Sequence, residues 1–375
     1  MTKQTSVKKN QCSRRSSLGD PECSRLLFAL FLIALIGMVA CKETPLPAAT
    51  PSSTAAVAAT KSGASAAAGA PASDPALPAD SAPLPHIDAK RAFEYTREVT
   101  AFGARYIGSD NHKKLEHYIL DHLKEDHLKG DQVEEDSFIA DTVEGKFPVR
   151  NIIAKFPGKK DGIIAILGHY DTNYPLRNTG YVGANDGGSS TAILLEFANQ
   201  LRDHPNESKP GSLGTPGRIR DGYSVWLVWT DGEEAVRQWS DTDSLYGTRH
   251  LAEKWEKDGT LKKIKALMVM DMIAPIDLAI LRDTNSTPWL EDLIYAAAQR
   301  SGYQSHFYVL QGGEEDDHIP FVKRGVACAD VISVPYGYND VFHHTPQDTM
   351  DKLSPKSLEI VGNTILETIH LLDQR

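Results

Sequence analysis

Short apolar runs that break off into histidine and carboxylate constrain the fold of this chain more than any other feature. Residues 163–167 pass through Gly168 into His169, Tyr170 and Asp171. Residues 223–229 lead through Thr230 into Asp231, Gly232, Glu233 and Glu234, and residues 266–270 stop at Asp271. Runs of this length, rich in β-branched and aromatic residues, predict strands, as do 149–156, 278–281 and 331–334. Between and around them, 86–102, 112–127, 191–201, 244–257, 288–300 and 355–372 carry apolar residues at helical spacing, with 191–201 expected to bury one face. This order predicts a single α/β domain over 86–375, with a mixed, largely parallel central sheet flanked by helices on both faces. Open sheets of that kind place their sites beyond the carboxyl ends of the strands, which is where the histidines and carboxylates fall. The polar stretch 203–221 reads as an insertion because Pro, Gly and Ser dominate it.

The first residues belong to something else. A basic start containing Lys8, Lys9, Arg14, Arg15 and Arg25 precedes an apolar run over 26–40 that ends at Cys41. The run is short for a bilayer span, which needs about 20 residues, and long enough for the core of an export signal. Its end, Met38-Val39-Ala40-Cys41, resembles the lipobox of bacterial lipoproteins, so 1–41 is expected to be a lipoprotein signal peptide. The chain is then exported and held to a membrane by lipid on Cys41. Residues 42–85 are almost entirely Ala, Pro, Ser and Thr, a composition that buries too little apolar surface to order itself and predicts a tether. Of the 4 cysteines, only Cys328 would remain free in the folded part, so no internal disulfide is expected; its apolar surroundings mark it as a core residue. A net charge of −10 argues against nucleic acid as a partner.

The polar clusters carry the chemistry. Besides those above, Asp186 follows Gly183-Ala184-Asn185, Asp316-Asp317-His318 stand before an apolar stretch, and His343-His344-Thr345 lie near the end. A zinc ion takes His, Asp or Glu ligands from separate elements, and a catalytic zinc keeps one position open. Adjacent carboxylates such as Glu233 and Glu234 allow one to bind metal and the other to move a proton. Any one cluster is ordinary surface charge; their order along the chain is the signal.

That ordered set resembles the zinc exopeptidase superfamily, which contains bacterial zinc aminopeptidases and the glutaminyl-peptide cyclotransferases. The likeness covers most of 90–375 and is strongest over 168–352. Residues 231–252 (DGEEAVRQWSDTDSLYGTRHLA) and 316–321 (DDHIPF) are similar to the cyclotransferase pattern. The resemblance implies a zinc ion held by Asp186, Glu234 and His344, with Glu233 as the proton-transfer carboxylate. It implies a hydrogen-bond network containing Asp271 and Asp316, and Trp239 as an aromatic wall of the substrate pocket. His169 and Asp271 match positions that bind a second zinc in the aminopeptidases, and Asp171 is expected to orient His169. The segment 342–349 (FHHTPQDT) departs from the cyclotransferases, which usually have Trp before the zinc histidine. Here His343 stands there with Phe342 one place back, and both are expected at the substrate pocket. Gly187 stands where aminopeptidases often have a second Asp, which favours one zinc.

The implied activity converts the N-terminal Gln of peptides or proteins to pyroglutamate with release of ammonia, in a monomer. The alternatives are a zinc aminopeptidase holding two ions and a non-catalytic surface binding protein. Replacing Cys41 by Ala is expected to release the protein from the membrane fraction, or to stall its processing. Unchanged attachment with no loss of lipid label would point to an uncleaved anchor helix.

Overall fold

Ile163, Ala165 and Leu167 are buried on one side of a strand, Ile164 and Ile166 on the other, each set in its own apolar cluster. That two-sided burial follows from the period of two along a strand and requires cover on both faces of the sheet. The computed structural model describes residues 84–125, 132–202 and 220–375. The predicted signal peptide, all but the last two residues of the predicted tether, and 203–219 of the predicted insertion lie outside the described residues.

In chain order the elements are α1 (Ala89–Ala101), α2 (Asp110–Glu125), β1 (Val133–Thr142), β2 (Gly145–Phe156) and β3 (Gly158–His169). There follow α3 (Gly188–Leu201), β4 (Arg220–Thr230), α4 (Tyr246–Lys257), β5 (Ile264–Asp271) and β6 (Ile280–Asp283). The last are α5 (Pro288–Arg300), β7 (Phe307–Gly312), α6 (Ile319–Val322), β8 (Cys328–Ile332) and α7 (Pro355–Asp373). One sheet runs β1-β2-β4-β3-β5-β8. The β1/β2 and β2/β4 pairs are antiparallel, whereas β4/β3, β3/β5 and β5/β8 are parallel. The predicted mixed, largely parallel sheet is therefore present. Its carboxyl-terminal edge presents His169, Thr230 and Asp271 together.

Helices α1, α2, α3, α5 and α7 pack on the face of Ile164 and Ile166, and α4 with α6 covers the other. Local chemistry sets the helix starts: Asp88 caps α1 through the Arg91 N–H, and Pro288 and Pro355 open α5 and α7 where no N–H is needed. The expectation for α3 needs correcting. Every residue from Gly188 to Leu201 is buried, because α3 lies between the sheet and α1 rather than on the surface. Its polar side chains find partners both within the helix, as Thr191 Oγ1 does with the Gly187 carbonyl at 2.7 Å, and beyond it, as Ser190 Oγ does with the His169 carbonyl at 2.9 Å. Two strands gave no signal in the sequence. In β1 acidic residues interrupt the pattern of an edge strand, and in β7, which pairs only with β6, Val309 and Leu310 are exposed. Cys328 is fully buried in β8, and burial pushes its thiol pKa up, as suits a core residue.

One buried charge holds α1 to α3. Glu196 Oε2 accepts from Arg91 Nε at 2.7 Å, while Oε1 accepts from Arg91 Nη2 and the Asp88 N–H, each at 2.8 Å. Glu196→Ala is expected to lower stability by about 2–3 kcal/mol, the scale of charge-assisted hydrogen bonds lost from a buried site. A shift in the urea unfolding midpoint measures it.

Candidate active site

The turn after β3 and the start of α3 place Asp186. Gly187 caps the helix with φ +72°, and a Cβ there would lie 2.6 Å from the Asp171 carbonyl oxygen and 3.1 Å from His169 Cε1. No side chain fits directly after Asp186, so the absence of a second Asp at Gly187 is a steric requirement of this turn.

Three predicted ligands converge from separate elements. His344 Nε2 lies 3.3 Å from Asp186 Oδ2 and 3.2 Å from Glu234 Oε1. Ligands on a tetrahedral zinc with bonds of about 2.0 Å stand about 3.3 Å apart, so the set fits that ion. Glu234 Oε1 is buried and receives no well-angled hydrogen bond, although Oε2 accepts from Asn173 Nδ2 at 2.8 Å. An unsatisfied carboxylate oxygen facing an imidazole nitrogen at a buried position suits a cation. Burial disfavours a charged His344, yet Glu234 and Asp186 outweigh it and push its pKa up to about 11. His344 reaches this position with a left-handed backbone, φ +50°, a conformation that a non-glycine residue keeps only where its surroundings hold it.

A second set shares Asp186. His169 Nε2 lies 3.1 Å from both Asp186 Oδ1 and Asp271 Oδ1, all three residues being buried. Burial opposes charge on His169, but Asp271 and Asp186 prevail and raise its pKa well above the imidazole range. Asp171 Oδ1 faces His169 Nδ1 at 3.7 Å, ion-pair range but longer than a hydrogen bond, and with Asp271 and Asp186 helps raise the pKa of the ring. Asp171 also accepts the Glu233 N–H at 3.1 Å and the Glu234 N–H at 3.3 Å, bracing the turn that presents both carboxylates.

Glu233 faces a cavity of ≈ 400 Å³ whose walls include Trp239, Asp271, Glu314, Val334 and His343. Burial raises the Glu233 pKa well above the carboxylate range, with the charges of Glu234 and Asp316 adding to it. Asp271 Oδ1 also accepts the Met272 N–H at 2.8 Å. Asp316 also lines the cavity, nearly buried and with Oδ2 unpartnered, and burial followed by the Asp271 charge raises its pKa. Its neighbour Asp317 takes the hydroxyls of Thr230 and Thr248, tying this loop to β4 and α4. Trp239 donates from Nε1 to Glu315 Oε2 at 3.2 Å. His343 bonds Asp340 Oδ2 at 3.1 Å, with its ligand atoms also within reach of Asp186 and His344.

Phe342 departs from expectation. It does not line the cavity but packs edge-on against Tyr336, ring centroids 5.3 Å apart, because an all-carbon ring gains more from the core than from a polar wall. Asp231 is also turned away, bonding His112 at 2.6 Å and the Arg150 N–H at 2.7 Å. His318 anchors its loop with Nε2 3.2 Å from Asp283 Oδ2. Residues missed in the sequence include Asn173 on Glu234, Tyr181 donating to Asp186, and Asp348. Asp348 accepts the N–H groups of Asn185 and Asp186 at 2.9 and 3.2 Å, and burial pushes its pKa up to about 7. Asn173 and Asp348 lie close in sequence to predicted clusters, the one signal available for them.

Comparison with known proteins matches residues 151–369 to peptidase family M28. A glutaminyl-peptide cyclotransferase from Drosophila melanogaster is 31% identical over 265 residues, covering 65% of this chain and 70% of that protein. The crystal structure of an Acidobacteriales bacterium glutaminyl cyclase is 47% identical, with TM-score 0.73, over 80% of this chain and 98% of that one. A Porphyromonas gingivalis glutaminyl cyclase is 25% identical with TM-score 0.64, over 76% and 98% respectively.

Asp171→Ala removes both acceptors beneath the Glu233-Glu234 turn without touching a ligand. Metal affinity is expected to fall about 10–100-fold, the range seen when groups supporting metal ligands are lost. Competition with a chelator of known affinity measures it.

Proposed function

The chain belongs to peptidase family M28, and from that premise we infer that it is a glutaminyl-peptide cyclotransferase, converting N-terminal Gln of peptides to pyroglutamate and ammonia. The observation that carries this reading is one cavity lined by an adjacent pair, in which His344 stands 3.2 Å from Glu234 and 3.3 Å from Asp186 while Glu233 makes no ion pair with His344. Together with likeness to glutaminyl cyclases along nearly their whole length, it favours proton transfer beside a metal.

Asp186, Glu234 and His344 would hold one zinc ion. When bound, zinc supplies Lewis-acid polarisation of the Gln side-chain carbonyl. The protein's own groups do the rest. The walls near Trp239 and His343 hold the Gln bent, so that its α-amine meets its own side-chain amide carbon, Cδ; nucleophile and electrophile share one residue, and the gain is one of positioning. A bond forms between the amine nitrogen and the side-chain amide carbon, Cδ, and the bond from that carbon to the amide nitrogen breaks. Glu233 takes the proton from the attacking amine and returns it to the departing ammonia, a role suited to a carboxylate at the cavity whose proton affinity burial raises. Asp271 offers an acceptor at the cavity wall, and Asp316, biased toward its protonated form by burial, stands beside it on the same wall.

A second reading, a two-zinc aminopeptidase, draws support from the buried set of His169, Asp186 and Asp271. The short contacts of His169 Nε2 to both carboxylates are equally met by an imidazolium, so this set does not by itself require a second ion. The export signal and the lipid at Cys41 complete the proposal, setting the enzyme at a membrane surface outside the cytoplasm.

Purified protein is expected to act on Gln-β-naphthylamide and not on Leu-p-nitroanilide; the reverse preference would mean a peptidase. Glu233→Gln is expected to keep its zinc and lose about 10²–10⁴-fold in rate, the usual scale for general acid–base catalysis. Glu234→Gln is expected to lose zinc affinity instead, because an amide oxygen is the poorer ligand. Elemental analysis and initial rates separate the two, and wild-type turnover in Glu233→Gln would remove the proposed base. Asp271→Ala should retain one zinc per chain and lose activity, whereas a fall in metal content would indicate the two-ion site.

A further inference from the structure

Arg105 lies between α1 and α2, ahead of the residues matched to the family, and its side chain is fully buried. Its guanidinium donates only to backbone carbonyls: Nε to Tyr170 at 3.0 Å, Nη1 to Val182, and Nη2 to Gly183 at 2.7 Å and Asp186 at 3.1 Å. Among the described residues it makes no ion pair with a carboxylate. Its own N–H donates to Thr172 Oγ1 at 2.9 Å. We propose that Arg105 is a positioning residue for the metal-binding turn, stapling the segment after β3 to residues 182–186 and so fixing Asp186; this rests on the zinc site proposed above.

The geometry suits the guanidinium and no other side chain. A planar fork with five donors can serve several carbonyls at once, whereas the ammonium of Lys concentrates three donors at one point. A Cβ at Gly183 or Gly187 would stand 3.3 or 3.2 Å from Nη2, so the glycines of the turn leave the space that the fork fills. Burying a cation without a paired carboxylate is unfavourable and lowers the pKa of Arg105, although Tyr181, Asp186, Asp348 and Asp171 oppose the shift. A scaffold needing only packing here would be better served by an apolar residue. What the cation adds is a rigid register between two carbonyl-bearing loops, one beginning at His169 and the other ending at Asp186.

The test measures zinc affinity by chelator competition, without substrate, in wild type, Arg105→Lys, Arg105→Ala and Arg220→Ala. Arg220 is also buried, but it pairs with Asp373 at the far end of β4 and controls for general destabilisation. Arg105→Lys and Arg105→Ala are expected to bind zinc about 10–100-fold more weakly. Arg220→Ala is expected to lower the melting temperature and keep wild-type affinity. Millimolar guanidinium should restore much of the lost affinity to Arg105→Ala and none to Arg105→Lys, whose side chain still fills the site; should Arg105→Ala not fold, the Lys variant carries the test. Wild-type affinity in the Arg105 variants, or an equal loss in Arg220→Ala, would overturn the inference while leaving the zinc site standing. A wild-type chain that binds no zinc would overturn both.

Discussion

Carboxylates crowded at the carboxyl-terminal edge of the sheet set the terms for the rest of this molecule. Asp186, Glu233, Glu234, Asp271 and Asp316 are all nearly excluded from water, and the cationic partners nearest them are two imidazoles. Charges held this way repel one another and lack solvent, so some groups shift toward the protonated form while others wait for a cation. Glu233 and Asp316 are raised, and Asp186 is lowered by His169 and His344 despite burial. Carboxyl groups driven apart in this way are suited to different tasks.

Such crowding persists only if the backbone cannot relax away from it. The turns that carry Asp186 and Glu234 are accordingly held by groups that have no catalytic task of their own. Asp171 holds the Glu233-Glu234 N–H groups, Asp348 those of Asn185 and Asp186, and Arg105 the carbonyls around Asp186. The site is thus stiff because donors and acceptors of its main chain are assigned to buried side chains, not because its loops are short. The helix behind it, α3, is enclosed on every side, which fixes Asp186 relative to the sheet.

Much of the molecule was legible in the chain because period and punctuation are local properties. Strands β3, β4 and β5 showed as apolar runs with His169, Asp231 and Asp271 at or just past their ends. The alternation of those strands with helical stretches was enough for the mixed sheet and for the edge where polar groups collect. Strand β1 was not legible because an edge strand with one wet face can carry acidic residues throughout, and α3 was misjudged because neighbours distant in sequence enclose it.

The sequence by itself determined which residues could bind metal or move protons, since that depends on side-chain chemistry and on order along the chain. Tertiary structure alone decided which of them face the cavity. Asp171 and Asp231 lie two and one residues beyond the paired ends of β3 and β4, yet one braces the Glu233-Glu234 turn and the other bonds His112 and the Arg150 N–H. Phe342 and His343 are neighbours, yet one enters the core and the other the cavity wall. Direction depends on backbone torsion and on partners supplied from far along the chain. Arg105, 81 residues from Asp186, is such a partner, and no local pattern announces it.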